Sequence, residues 1–124
     1  LIIEDDIIFC DDFIFKLNNI INNIPKNWDL YYPNSKSNMY GVQSINIENN
    51  YLVKRGHPGT AGAYSYLINK KCCQKIINEI ENNKIVFPID FEYNWIFYKL
   101  NLNIYFNKNT PLIRHANLPT TLLN

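Results

Sequence analysis

The sequence predicts an α/β protein built on a mixed or mainly parallel sheet with flanking helices. Short apolar segments of strand length alternate with longer segments whose apolar residues recur every three or four positions. Residues that cap or break helices stand at the ends of the longer segments. The chain has 124 residues and shows no internal repeat or linker, so residues 1–124 are predicted to form a single domain.

Three segments are predicted to be helical. The first runs from Phe13 to Ile24, between the capping candidates Asp11 and Asp12 and the breaker Pro25. The second follows Asn69 and is expected to bury one face, formed by Cys73, Ile76, Ile77 and Ile80. The third begins after Pro88, and its expected apolar stripe consists of Phe91, Trp95, Tyr98 and Leu102.

Short apolar runs between these helices predict the strands, the first of which is expected to be buried. The predicted strands are Leu1 to Ile3 with a continuation at Ile7 to Phe9, Trp28 to Tyr32, Val42 to Ile47, Tyr51 to Lys54, Ala63 to Ile68, and Ile104 to Phe106. The segment from Gly56 to Gly62 holds three glycines and a proline. It is predicted to be a loop whose backbone can approach a ligand closely.

Composition and charge exclude several classes of protein. Hydrophobic residues make up 47% and aromatic residues 15% of the chain, which indicates a folded core. A net charge of +1 argues against a nucleic-acid-binding surface, and no apolar run is long enough to span a membrane. Motifs typical of serine hydrolases, P-loop enzymes and dinucleotide-binding enzymes are absent.

The cysteines and histidines give no pattern of metal ligands. Cys10, Cys72 and Cys73 lack zinc-site spacing, and they are expected to be reduced thiols, which favours a cytoplasmic location. His57 and His115 have no spaced partners and are expected to be structural.

Three consecutive acidic residues follow the first predicted strand. In an extended segment Glu4 and Asp6 would share one side while Asp5 faces the other. Two carboxylates at the end of a strand can hold Mg²⁺ or Mn²⁺ and leave coordination sites for a diphosphate. The alternative is a solvated acidic turn that caps the next helix.

Asp90, at the start of the third helix, allows two interpretations. It is either an N-cap or a general base placed to accept the proton of an attacking hydroxyl. Glu92 is a second candidate for the base, unless it lies on the solvated side of the first turn.

The order of these features resembles glycosyltransferase family 25, which includes lipooligosaccharide and procollagen galactosyltransferases. The resemblance covers about residues 1 to 115. It is carried by the acidic motif in Leu1–Ile8, Asp12-Phe13, Trp28-Asp29, the segment from Gly62 to Lys71, Phe87-Pro-Ile-Asp90 and Pro111-Leu-Ile113.

This resemblance implies a GT-A-like fold, of which the chain would form the part that follows the N-terminal nucleotide-binding strands. The implied activity is metal-dependent transfer of a hexose, such as galactose or glucose, from a UDP-sugar to a glycan or protein hydroxyl, with inversion. Asp6 and Glu4 would hold Mn²⁺ or Mg²⁺, and Asp90 would be the catalytic base. Glu4, Asp5, Gly59, Thr60 and Gly62 would contact the donor.

Two other interpretations stay open at this point. The chain could keep this fold without a donor site and act as a binding or interaction module. It could also be an unrelated α/β domain whose acidic residues only cap a helix.

Overall fold

The computed structural model describes residues 1–35, 45–46, 52–54, 65–107 and 111–116. Within these residues the chain forms three helices and eight strands. In chain order they are β1 (Ile2–Ile3), β2 (Ile7–Phe9), α1 (Phe13–Asn23), β3 (Leu30–Ser35), β4 (Ile45–Asn46), β5 (Leu52–Lys54), β6 (Ser65–Ile68), α2 (Lys70–Asn82), α3 (Ile89–Lys99), β7 (Ile104–Asn107) and β8 (Ile113–His115). The predicted α/β class is confirmed.

The main sheet is mixed, with strand order β1-β6-β3-β7-β5-β4, and β2 pairs with β8 in a separate two-stranded sheet. Among the described strands, only β3 and β7 are parallel neighbours. Because β6 is antiparallel to both β1 and β3, the carboxyl ends of β1, β3 and β7 lie at the same end of the sheet.

Two clusters of buried side chains lie on opposite faces of this sheet, because side chains alternate along each strand. One cluster packs under α2 and α3 and contains Leu30, Tyr32, Tyr66, Cys72, Ile76, Ile96, Phe97, Leu102, Ile104 and Phe106. The other packs under α1 and β8 and contains Phe13, Leu17, Ile24, Tyr31, Leu67, Tyr105, Leu112 and Ile113. The domain is therefore layered, with helices on both faces of the sheet.

The prediction that the first strand is buried was wrong. β1 is the outermost strand, and Leu1, Ile2 and Ile3 are 53%, 48% and 44% exposed. An apolar run specifies a strand, but its burial depends on which neighbours pair with it. The following residues are not extended either, because the chain bends at Asp5 and Asp6.

The first two helices match their predicted positions closely. Helix α1 buries Phe13 and Leu17 and ends before Pro25. Its N-cap residue, Asp12, has a left-handed backbone (φ 56°) and makes no side-chain capping bond. Helix α2 buries Cys72 and Ile76, whereas Cys73 is half-buried and Ile77 exposed, so the buried face predicted from Cys73 was misplaced. All three cysteines are free.

The predicted face of α3 was wrong. The helix buries Ile96 and Phe97, whereas Phe91, Trp95 and Tyr98 are exposed. Leu102 is buried but lies beyond the end of the helix. Apolar residues occur on both sides of α3, so periodicity alone does not determine which side packs on the sheet.

No described helix is long and apolar enough to cross a membrane.

Candidate functional site

The acidic residues lie in a bend between β1 and β2. Glu4 and Asp5 are exposed, and Asp6 is half-buried. β8 braces the bend, since the backbone of Ala116 donates to the carbonyl of Asp6 (2.8 Å) and Ile7 pairs with His115. The acidic bend therefore extends from the sheet end at which β1, β3 and β7 finish.

The predicted convergence of Glu4 and Asp6 depended on an extended segment, whereas Asp5 and Asp6 lie in a bend. Carboxylate oxygens are hard donors, and Mg²⁺ commonly takes one or two from protein while keeping water and substrate phosphate as its other ligands. Among the described residues, no group of three His, Cys, Asp or Glu side chains is placed to enclose a metal ion. The described residues therefore form no closed structural metal site at the acidic bend.

Asp90 lies in the first turn of α3, where a negative charge is favourable at the positive end of the helix dipole. Its Oδ1 accepts a hydrogen bond from the backbone of Phe91 (3.0 Å). The N-cap position belongs to Pro88, so the predicted N-cap role of Asp90 is wrong.

Glu92 has a different environment from Asp90. Its Oε2 accepts hydrogen bonds from the backbone N–H groups of Val86 (3.3 Å) and Phe87 (3.1 Å). The carboxylate thereby fixes the segment that leads into α3. Two positions along a helix correspond to a rotation of about 200°, so Glu92 and Asp90 lie on opposite sides of α3.

A pair of tyrosines connects α3 to the strand beside β1. The hydroxyl oxygens of Tyr66 in β6 and Tyr93 in α3 lie 3.2 Å apart, and their rings meet edge to face with centroids 5.9 Å apart. Tyr66 is the cross-strand partner of Ile2, and Tyr93 is one helical turn from Asp90. This pair holds α3 over β6, next to the strand that precedes the acidic bend.

Burial and the hydrogen bond to Tyr93 raise the pKa of Tyr66 well above its usual range. The Tyr66 hydroxyl is therefore protonated at neutral pH, and we assign the pair a structural role in positioning α3.

The predicted donor-binding residues Gly59, Thr60 and Gly62, like His57, lie outside the described residues. The strand that follows them, β6, begins at Ser65. Ser65 is fully buried and pairs with Ile3, directly before the acidic bend. The chain thus enters β6 beside the point where it leaves β1.

A polar cluster at the opposite end of the sheet was not predicted from the sequence. The buried Asp29 accepts a hydrogen bond from the backbone of Asn103 (2.9 Å) and forms an ion pair with Lys75 (3.4 Å). Its own carbonyl accepts from the backbone of Asn69 (3.1 Å). These bonds join β3, β7 and α2, so the cluster supports the fold. Its members come from distant parts of the sequence, and no local pattern links them.

Comparison with known proteins finds no matching family model and no matching curated sequence.

Proposed function

We propose that this chain is a metal-dependent glycosyltransferase domain that moves a hexose from a UDP-sugar to a hydroxyl group of a glycan or protein. The observation that carries the proposal is the Tyr66–Tyr93 contact, which holds the helix of Asp90 on β6, the strand paired with the one that leads into the acidic bend. This contact supports the proposal because it fixes the helix of Asp90 on the strand that pairs with β1.

Each carboxylate has a distinct role in this proposal. Asp6 and Glu4 would hold Mn²⁺ or Mg²⁺, which supplies charge neutralisation for the departing diphosphate. Asp5 would lie against the donor, together with Gly59, Thr60 and Gly62. Asp90 would accept the proton of the acceptor hydroxyl on the face of the sugar opposite the diphosphate, which inverts the anomeric centre.

The proposal includes a GT-A-like fold, in which the mixed sheet and the helices on both its faces form the part that follows the acidic motif. It also includes a cytoplasmic location, supported by three free cysteines.

Calorimetric titration of UDP tests the metal site directly. We expect binding in Mn²⁺ and its loss in EDTA. Asp6→Asn should weaken binding by more than about tenfold, because even the loss of a hydrogen-bonding partner of a metal ligand commonly costs that much. The matched control is Asp11→Asn, the same change at an exposed carboxylate outside the acidic bend. Equal UDP binding by the wild-type protein and Asp6→Asn would refute the metal assignment.

A second candidate function is a non-catalytic interaction module with the same fold. It is favoured by the unusual exposure of large apolar side chains, among them Ile14, Phe15, Val86 and Trp95. Complete absence of metal-dependent UDP binding would support this alternative.

A further inference from the structure

Helix α3 is apolar on two opposite sides. One side packs on the sheet through Ile96 and Phe97. The opposite side carries Phe91, Trp95 and Tyr98, spaced by four and three residues, which are 55%, 61% and 59% exposed. A helix that is apolar all round is normally buried all round. We call these three residues the aromatic stripe.

The exposed apolar surface continues beyond the aromatic stripe. Ile85 lines a cleft of about 260 Å³ together with Trp95, Glu92 and Lys99. Val86 and Phe87 follow Ile85 and are also exposed. Glu92 holds the backbone of both residues, so this apolar segment is presented in a fixed conformation.

We propose that the aromatic stripe binds the same stripe of a second copy of this chain, with the two α3 helices antiparallel about a two-fold axis near Trp95. The size of the exposed apolar surface supports a second copy of the chain as the partner. Six exposed side chains (Ile85, Val86, Phe87, Phe91, Trp95 and Tyr98) offer roughly 600–700 Å² per copy, close to the ~800 Å² that each partner contributes to a standard interface. This area also exceeds the largest apolar patch of most monomers.

Charge complementarity supports the antiparallel arrangement. Glu92 and Lys99 line the same cleft beside Trp95, one near each end of α3. About a two-fold axis at Trp95, Glu92 of one copy faces Lys99 of the other. Lys99 bonds Glu79 at 2.5 Å within its own chain, and its ammonium has further donors for a second carboxylate. A two-fold axis along the helices would instead place this flank of the two copies on opposite sides of the contact, so that Glu92 and Lys99 of different copies would not meet.

Sedimentation velocity over a range of protein concentrations tests the proposal. We expect a concentration-dependent dimer for the wild-type chain. Phe91→Asp should raise the dimer dissociation constant about a hundredfold or more, because the loss of one central aromatic residue counts twice across a two-fold axis. The matched control is Phe15→Asp, since Phe15 is 76% exposed on α1. This variant should dimerise like the wild type, and circular dichroism should show both variants folded.

Disulfide trapping tests the geometry independently. With Cys10 and Cys73 replaced by serine, Trp95→Cys weakens the interface but places two thiols at the two-fold axis. Oxidation at high protein concentration should therefore trap a cross-linked dimer of this variant, whereas Phe15→Cys should not form one. A wild-type chain that stays monomeric up to about 1 mM, a range that covers weak association, would overturn the proposal. So would a dimer unaffected by Phe91→Asp. Neither result depends on catalytic activity, so the dimer and the glycosyltransferase proposals stand or fall separately.

Discussion

The hydroxyl groups of Tyr66 and Tyr93 lie 3.2 Å apart and join the strand beside β1 to the helix that carries Asp90. Each ring has a further aromatic neighbour, since Tyr66 lies near Tyr32 (6.1 Å between centroids) and Tyr93 stacks on Phe97 (5.2 Å). Four aromatic rings from two strands and one helix therefore fix the position of α3 on the sheet.

Removing one hydroxyl of this pair should destabilise the protein. Tyr93→Phe leaves the hydroxyl of the buried Tyr66 without that partner. We expect the free energy of unfolding, measured in urea, to fall by about 1–2 kcal/mol. The double variant Tyr66→Phe/Tyr93→Phe removes both hydroxyl groups while keeping the rings, so it should recover most of the loss. A double variant less stable than Tyr93→Phe would contradict this explanation.

Asn69 caps α2 and should be sensitive to substitution. Its Oδ1 accepts a hydrogen bond from the backbone of Cys72 (2.7 Å), and its Nδ2 donates to the carbonyl of Trp28. We expect Asn69→Ala to lower the free energy of unfolding by about 1–2 kcal/mol. Asn69→Asp keeps the capping oxygen but loses the donor, so its stability should lie between those of wild type and Asn69→Ala. If Asn69→Asp and Asn69→Ala are equally stable, the capping oxygen contributes little to the free energy of unfolding.

The free energy of unfolding should fall at alkaline pH because the buried thiol of Cys72 keeps its proton in the native state. Burial, reinforced by the negative charge of Asp29, raises the pKa of the Cys72 thiol to about 12. The unfolded thiol loses its proton near pH 9, so between these values the unfolded state binds fewer protons than the native state. Stability is fully retained below pH 9 and falls as pH rises toward 12.

The size of this effect is set by one proton. Between pH 9 and about 12 the unfolding equilibrium constant should rise roughly tenfold per pH unit from Cys72. Cys72→Ala removes this contribution, and urea unfolding at several pH values should show a shallower pH dependence for the variant. Burial also raises the pKa values of Tyr66 and Tyr105. These two hydroxyl groups therefore lower the stability further once the pH exceeds the usual pKa of a tyrosine. Parallel curves for wild type and Cys72→Ala would contradict the prediction.

The proposed catalytic base can be separated from its neighbour on the same helix. If the chain transfers sugar, Asp90→Asn should lower kcat by about 10²–10⁴-fold, the usual contribution of a general base, while calorimetric UDP binding is unchanged. Glu92→Gln keeps an oxygen that can accept from Val86 and Phe87, so its kcat should stay within a few-fold of wild type. A larger loss in Glu92→Gln than in Asp90→Asn would reverse the assignment.

Local sequence was sufficient to predict α1 and β7. The spacing of Phe13 and Leu17 and the breaker Pro25 specify a helix and its end, and Ile104 to Phe106 are apolar and β-prone. These signals depend on neighbours within a few residues. They also place Glu4, Asp5 and Asp6 after a strand and Asp90 at a helix start, which is all that the sequence indicates about the candidate site.

Tertiary structure decided which surfaces are buried and which elements meet. The helical spacing of Phe91, Trp95 and Tyr98 is as regular as that of the buried side of α3. Only packing against the sheet determined that Ile96 and Phe97 are buried instead. The apolar sequence of β1 is typical of a buried strand, but β1 is exposed because it lies at the edge of the sheet. The contact between Tyr66 and Tyr93 spans 27 positions in the sequence. Local periodicity therefore determined the elements, whereas strand order and long-range packing decided their exposure and brought the helix of Asp90 onto β6, the strand paired with β1.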